Sequence, residues 1–174
     1  MNEFLYLNHL LVAALEEKMT DILGVVFSTL RLNSKSQCQE FTPSSITNLM
    51  TNLVYSDINK IIDETRLDFY EPSCGSGVMI IATADFLHKH GLNYQKILHV
   101  IAQDIDLRCI YMTYIQCSLL GIQAEIVHGD VITNPYPSEK YLEQSIFKTP
   151  FYFLAPKLFI NSNIHYSQKS KHNE

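Results

Sequence analysis

Residues 71–77 read Glu71-Pro72-Ser73-Cys74-Gly75-Ser76-Gly77, a glycine loop with a carboxylate in front of it. Gly75 and Gly77 have no side chains, so the backbone can turn sharply and a ligand can approach the amides where a helix begins. In dinucleotide sites such a loop holds a pyrophosphate. A carboxylate at Glu71 would repel phosphate and suits a ligand with a cationic amino group instead. Two further carboxylates lie downstream. Asp104 can accept the protons of both ribose hydroxyls, and Asp130 can accept a hydrogen bond from the amino group of an adenine ring. Any one of the three can be a solvated strand end or a helix cap; together with the loop they describe one ligand site.

The elements around these residues must bring them to one place. Leu67–Tyr70, Leu98–Ala102 and Ala124–Val127 are short apolar runs that read as buried strands, ending before Glu71, Gln103-Asp104 and His128-Gly129-Asp130. Between them, Val78–His90 and Leu107–Leu120 read as helices closed by Gly91 and Gly121. Strand, helix, strand, helix, strand at this spacing predicts a parallel sheet, with the three carboxylates at the carboxyl ends of adjacent strands, where open α/β sheets bind ligands. Upstream, Glu3–Leu30 reads as helix, Asn33–Gln39 as a loop, and Thr42-Pro43 as the start of a helix capped by the Thr42 hydroxyl. In that helix Ile46, Leu49, Met50 and Leu53 form the expected buried stripe, and a further helical stretch is expected over Asp57–Glu64. Downstream, Asn134-Pro135-Tyr136-Pro137 must be a turn or extended chain, because each proline keeps its predecessor out of helical geometry. Tyr141–Phe147 is expected as a short helix and Phe151–Leu154 as a strand. The expected division is a helical segment over 1–40, an α/β core over 41–160 and a polar tail over 161–174.

The chain has 174 residues, 47% hydrophobic and 18% charged, which suits a globular domain with a substantial core. Its net charge of −5 argues against a freestanding basic nucleic-acid binder, though a partner could supply the basic surface. The four cysteines, Cys38, Cys74, Cys109 and Cys117, have no zinc-knuckle spacing and read as free thiols in a reducing cytoplasm. Of these, Cys74 is expected to be a packing residue of the loop. The apolar run Phe4–Leu15 lacks a basic leader and is too short to span a bilayer, so no membrane association is expected. Its apolar face is expected either to pack on the sheet or to form a homo-oligomer. His88 and His90 diverge on a helix and read as a solvated helix end, with no metal site expected; Asp106 reads as the cap of the helix at Leu107, and Tyr111 and Tyr114 as core.

Taken in order, Phe41-Thr42-Pro43, Glu71-Pro72-x-Cys74-Gly75-Ser76-Gly77, Gln103-Asp104-Ile105-Asp106 and Gly129-Asp130 resemble the successive cofactor motifs of adenine-specific DNA methyltransferases, in particular the modification subunits of type I restriction systems. The resemblance covers about half of the chain. It implies a Rossmann-like methyltransferase fold with a partial parallel sheet, and S-adenosylmethionine as cofactor. By the same resemblance, Thr42 and Pro43 close over the cofactor. Glu71, Pro72, Cys74, Gly75 and Gly77 hold its methionine part, Asp104 its ribose and Asp130 its adenine.

That family's catalytic element, Asn/Asp-Pro-Pro-aromatic, holds a flipped base by its exocyclic amine and stacks on it, so that catalysis is mostly positioning. Here the nearest sequence is Asn134-Pro135-Tyr136, in a scrambled order and only four residues after Asp130. It leaves no room for a fourth strand before it. Asn134, Pro135 and Tyr136 are therefore either a degenerate catalytic loop or a simple proline-rich turn. Three functions remain open: methyl transfer to adenine in DNA, with a partner subunit supplying recognition; a cofactor-binding module without catalysis; or transfer to a protein or small molecule.

Overall fold

The computed structural model describes residues 2–32, 42–57, 61–62, 64–136 and 145–155. The loop expected over Asn33–Gln39, together with Cys38, Phe41, Pro137 and the tail 161–174, lies outside these residues.

The N-terminal segment is two helices, α1 (Glu3–Glu17) and α2 (Ile22–Thr29), where periodicity alone suggests one. The break comes from Asp21, whose extended backbone and carboxylate capture the Gly24 amide at 2.8 Å and start a new helix. An aspartate competes with helical backbone in this way and so prefers a cap to a helix interior. Only the C-terminal half of α1 docks. Leu11 and Leu15 reach the core, while Phe4, Leu5, Leu7 and Leu10 are exposed.

Helix α3 (Ser44–Val54) starts one residue later than expected. Pro43, at ψ 140°, is the last non-helical residue, and its carbonyl accepts from the Ile46 and Thr47 amides. Thr42 is therefore one position too early to cap, and no side chain caps this helix. The expected buried stripe also faces the wrong way. Ile46, Leu49, Met50 and Leu53 are exposed, Leu49 at 60%, whereas Thr47 and Thr51 are 0% and 2% exposed. The threonine hydroxyls bond to the carbonyls four residues back, Thr47 to Pro43 and Thr51 to Thr47. With their hydroxyls satisfied internally, these short side chains can be buried where α3 meets its neighbours. The stretch expected as helix over Asp57–Glu64 is only partly described; its residues 61–62 form a turn.

Strands β1 (Leu67–Glu71), β2 (Leu98–Asp104) and β3 (Gln123–His128) form the expected parallel sheet in the order β1-β2-β3. Leu67 pairs with Leu98, Glu71 with Ala102, and Asp104 with His128, so the strand ends are in step. Helix α4 (Val78–Lys89), the short helix α5 (Tyr94–Ile97) and helix α6 (Leu107–Leu120) make the connections. Leu98, Val100, Ala102, Ala124 and Ile126 form one core with Ile80, Ile81, Ala84 and Leu87 of α4 and with Ile110, Cys117 and Leu120 of α6. The alternate residues Asp68, Tyr70, His99, Ile101 and Glu125 line a cavity of about 560 Å³ with Arg66 and Tyr152.

A fourth strand, β4 (Ile146–Lys148), pairs antiparallel with β3 where a helix over Tyr141–Phe147 is expected; 141–144 are not described. Pairing with the open edge of β3 decides the conformation, and Phe147 packs edge-on to Tyr111 at 5.8 Å. Tyr114 packs on the core as expected, but Tyr111 is half exposed. Residues 150–155, expected to contain a strand, are helical. Buried Thr149 ends β4, with its hydroxyl on the Ile122 carbonyl at 2.7 Å and its carbonyl accepting from the Tyr152 amide. Among the described residues no helix is long and apolar enough to cross a membrane.

The outward stripe of α3 can be tested in this chain. Leu49→Gln should change the free energy of unfolding by less than about 0.5 kcal/mol, the usual range for a surface site. Loss of a packed leucine removes roughly 2–5 kcal/mol, so urea denaturation separates the two orientations.

Candidate functional site

The glycine loop runs from β1 into α4 and is anchored on β2, where the Cys74 amide donates to the Gln103 carbonyl at 2.9 Å. Gly75 and Gly77 have φ of 54° and 94°, left-handed values that glycine adopts without strain. A side chain at Gly77 would also press on Thr113, 3.2 Å from its hydroxyl. Thr113 in turn donates to the Gly75 carbonyl at 2.9 Å, so α6 braces the loop from below. Cys74 is buried there as a packing residue, and burial pushes its thiol well above the usual range, which disfavours the reactive thiolate.

Asp104 connects the other parts. One carboxylate oxygen accepts from the Gly75 amide at 2.9 Å and the other from the Asp106 amide at 2.9 Å. Its main-chain carbonyl accepts from the Gly129 amide at 2.9 Å, which fixes the turn that carries Asp130. Glu71 stands at the end of β1, half buried, with one oxygen 3.3 Å from the Ser73 amide. Burial raises its proton affinity above that of an ordinary carboxylate; the Ser73 amide opposes the shift and the Asp104 charge adds to it. Asp130 is held by its own turn, with the Ile132 amide at 2.9 Å and the Thr133 hydroxyl at 3.0 Å. These bonds, the Ile132 amide first, lower its pKa and keep it ionised. Glu71, Gly75, Asp104 and Asp130 are thus drawn together at the ends of three adjacent strands, with Pro72 in the exposed turn that follows Glu71.

The remaining expected residues are placed differently. Thr42 and Pro43 line a separate cavity of about 230 Å³ with Asp21, Gly24 and Val78, at the start of α4. Asp106 caps α6 through the Arg108 amide and pairs with the Arg108 guanidinium at 2.6 Å, a helix cap as expected. Asn134, Pro135 and Tyr136 fold back towards the cavity-lining face of the sheet. The Tyr136 amide donates to the Gln103 side chain at 3.1 Å, and Gln103 donates to the Asn134 carbonyl at 3.0 Å. The Tyr136 hydroxyl donates to Glu125 at 2.8 Å; burial and the Glu125 carboxylate push its pKa up to about 12. His88 and His90 are exposed as expected, with His90 stacked on Phe86. Among the described residues no cluster of side chains could hold a metal ion.

Sequence reasoning missed Gln103, Thr113, Ser76, Gln116 and Asp21, all buried polar residues that hold the loop or its neighbours. Gln103 and Ser76 sit inside the quoted motifs, Gln103 beside Asp104 and Ser76 between the two glycines, and nothing in that setting marks them as buried. Asp21 left a trace only as the polar break between two apolar helical runs.

A family model described as N-6 DNA methylase matches residues 16–174. No curated protein matches the chain. Among solved structures, the chain is similar to the methyltransferase subunit of a type I restriction-modification system from Streptococcus thermophilus, with 14% identity and a TM-score of 0.47 over 57% of this chain and 20% of that one. It is also similar to a protein described as a class I S-adenosylmethionine-dependent methyltransferase from Listeria monocytogenes, with 16% identity and a TM-score of 0.48 over 62% of this chain and 31% of that one. The chain therefore spans about a fifth and about a third of the lengths of these two structures.

The raised proton affinity of Glu71 has a definite sign in stability. The folded state binds the proton more tightly than the unfolded chain, so the wild type loses stability as pH rises from the ordinary carboxylate value through the folded one. Glu71→Gln removes the titration. The variant should match the wild type below about pH 4 and be the more stable of the two near neutrality, as read by thermal denaturation across pH.

Proposed function

The chain belongs to the N-6 DNA methylase family, and from that premise we propose that it is the S-adenosylmethionine-binding part of a methyltransferase acting on the exocyclic amine of adenine in DNA. One observation carries the cofactor reading. The Gly75 amide, which a phosphate-binding loop would turn to its ligand, is taken by the Asp104 carboxylate, and Glu71 stands beside it with its own negative charge partly desolvated. A phosphate would face two carboxylates here. A ligand with an amino group, a sulfonium and a ribose diol suits the donor set, because its positive charge relieves the repulsion between Glu71 and Asp104.

The roles follow from the chemistry of each group. Glu71 takes the cationic amino group. Each Asp104 oxygen accepts one amide and retains a second acceptor site for a ribose hydroxyl. Asp130, kept ionised by its turn, accepts from the adenine amino group. Thr42 and Pro43, which line the separate cavity at the start of α4, close over the cofactor when it binds, and Pro72, Cys74, Gly75 and Gly77 shape the loop. When bound, S-adenosylmethionine supplies the methyl group. DNA and any recognition surface come through a partner subunit, since this chain carries a net charge of −5. A homo-oligomer would use the exposed apolar half of α1.

A second reading, cofactor binding without catalysis, is favoured by the segment Asn134-Pro135-Tyr136. Its aromatic ring is tethered to Glu125, on the face of the sheet lined by the 560 Å³ cavity, and its backbone to Gln103. In the first reading this segment must leave those contacts to meet a base.

Titration calorimetry should show micromolar S-adenosylmethionine binding, weakened about tenfold or more by Asp104→Ala and by Glu71→Gln, the loss expected for a hydrogen bond to a charged group. Wild-type protein that is folded and does not bind at millimolar cofactor refutes the assignment. Transfer of labelled methyl to adenine in DNA, abolished by Asn134→Ala or Tyr136→Ala, selects the first reading. Binding with no transfer, even when partner subunits are added, selects the second.

A further inference from the structure

The glycine loop has a second side. Gly75 turns to Asp104, but the next residue, Ser76, is fully buried and donates its hydroxyl to the carboxylate of Asp21, 55 residues earlier in the chain. Asp21 is only 5% exposed. Its other oxygen accepts from the Gly24 amide at 2.8 Å and from Gln116 Nε2 at 2.9 Å. Gln116, fully buried on α6, gives its second amide proton to the Ser76 carbonyl at 2.9 Å, and its oxygen accepts from the Ile22 and Leu23 amides at 2.9 and 3.1 Å. Every proton and acceptor of the Gln116 amide is therefore spent on joining α2 to the loop. The Ser76 hydroxyl and the Gly24 and Gln116 amides are neutral donors to the Asp21 carboxylate, and the N-terminal end of the α2 dipole faces it.

Two features go beyond what a helix cap requires. A cap on α2 needs only the Gly24 contact, yet Asp21 reaches past its own helix to the loop. Space is also reserved for it: a Cβ on Gly24 would fall 2.0 Å from Asp21 Oδ2 and 2.2 Å from Ser76 Oγ, so only glycine lets α2 approach this closely. The same residues, Asp21 and Gly24, form one wall of the cavity that Thr42 and Pro43 share with Val78. The Asp21 contact thus sets both the loop and the position of the N-terminal elements beside it.

We propose that Asp21 is a positioning residue for the glycine loop: through Ser76 and Gln116 it latches α2 onto the loop, so that docking of the N-terminal helices and affinity at Glu71 and Asp104 are coupled. The ligand half of this statement rests on the cofactor reading above. Apart from the latch, α2 is held to α6 by the small apolar cluster of Phe27, Leu23, Cys109 and Met112, and by Arg108 over the Phe27 ring. Removing the latch should therefore loosen the segment without unfolding the sheet.

The test uses the whole chain, with S-adenosylmethionine titrations and amide hydrogen exchange on the wild type, Ser76→Ala, Asp21→Ala, the double variant and Asp21→Asn. Ser76→Ala removes the loop side of the latch and leaves Asp21 its other donors, so it stays informative even if Asp21→Ala does not fold. Each single alanine variant should weaken binding about tenfold, and the double variant should be no worse than the weaker single, because one contact is lost in all three. Asp21→Asn, which can accept from Gly24 and Gln116 and donate to Ser76, should recover most of the loss; a merely structural cap would lower thermal stability and leave affinity unchanged. In Ser76→Ala the amides of 75–77 and of 22–24 should exchange faster together. Folded variants that bind like the wild type overturn the proposal. If the wild type itself does not bind, the cofactor reading fails and exchange alone judges the latch: joint acceleration upholds it, and unchanged exchange in α2 refutes it.

Discussion

Asp104 joins three strand ends through two carboxylate oxygens and one carbonyl. The glycine loop after β1, the turn into α6 after β2 and the turn after β3 each leave a backbone N–H that must find a partner once the sheet forms. Asp104 accepts all three, from Gly75, Asp106 and Gly129. Bonds from amides to an ionised carboxylate are roughly twice as strong as neutral ones. The residue at the centre of the candidate site is therefore also a structural joint, and the loop and turns around it are shaped by the fold itself.

That joint also decides the electrostatics. A glycine loop at the start of a helix ordinarily favours an anion. Here the protein supplies the anion itself, with Asp104 on one side of the loop and Asp21 on the other. Glu71 adds a third carboxylate, whose proton affinity is already raised by burial and by Asp104. What remains is a loop flanked by carboxylates, which disfavours a phosphate and accords with the cationic cofactor proposed above.

The two faces of the sheet are used unequally. The core lies between the sheet and helices α4 and α6, and Glu71 and Asp104 continue the strand positions that face those helices. The alternate positions carry Asp68, Tyr70, His99, Ile101 and Glu125 around a cavity, and Tyr136 is tied to Glu125 among them. The residues proposed to hold the cofactor, Glu71 and Asp104, and the candidate segment at Tyr136 are thus separated by the alternation of a β-strand rather than by distance along the chain. Any reaction that needs both must move the segment from Asn134 to Tyr136 or bring an equivalent from elsewhere.

The strands β1 to β3 and the helices α4 and α6, though not the one-turn α5, were legible in the residues because they are local: apolar runs, Gly91 and Gly121 at left-handed helix ends, and carboxylates immediately after strands. The same locality made the positions of Glu71, Gly75, Asp104 and Asp130 readable, since parallel pairing in step brings residues that follow successive strands to one edge. The direction of α3 was not readable. Its pattern shows two faces, but only packing decides that the threonine face turns inward and the leucine face outward. Nor were β4 and the helix at 150–155 readable, because segments this short take the conformation their neighbours complete. The contact of Asp21 with Ser76 lies furthest from sequence reach. Its residues are 55 apart, each is ordinary by itself, and only the fold buries both and leaves them one another as hydrogen-bond partners.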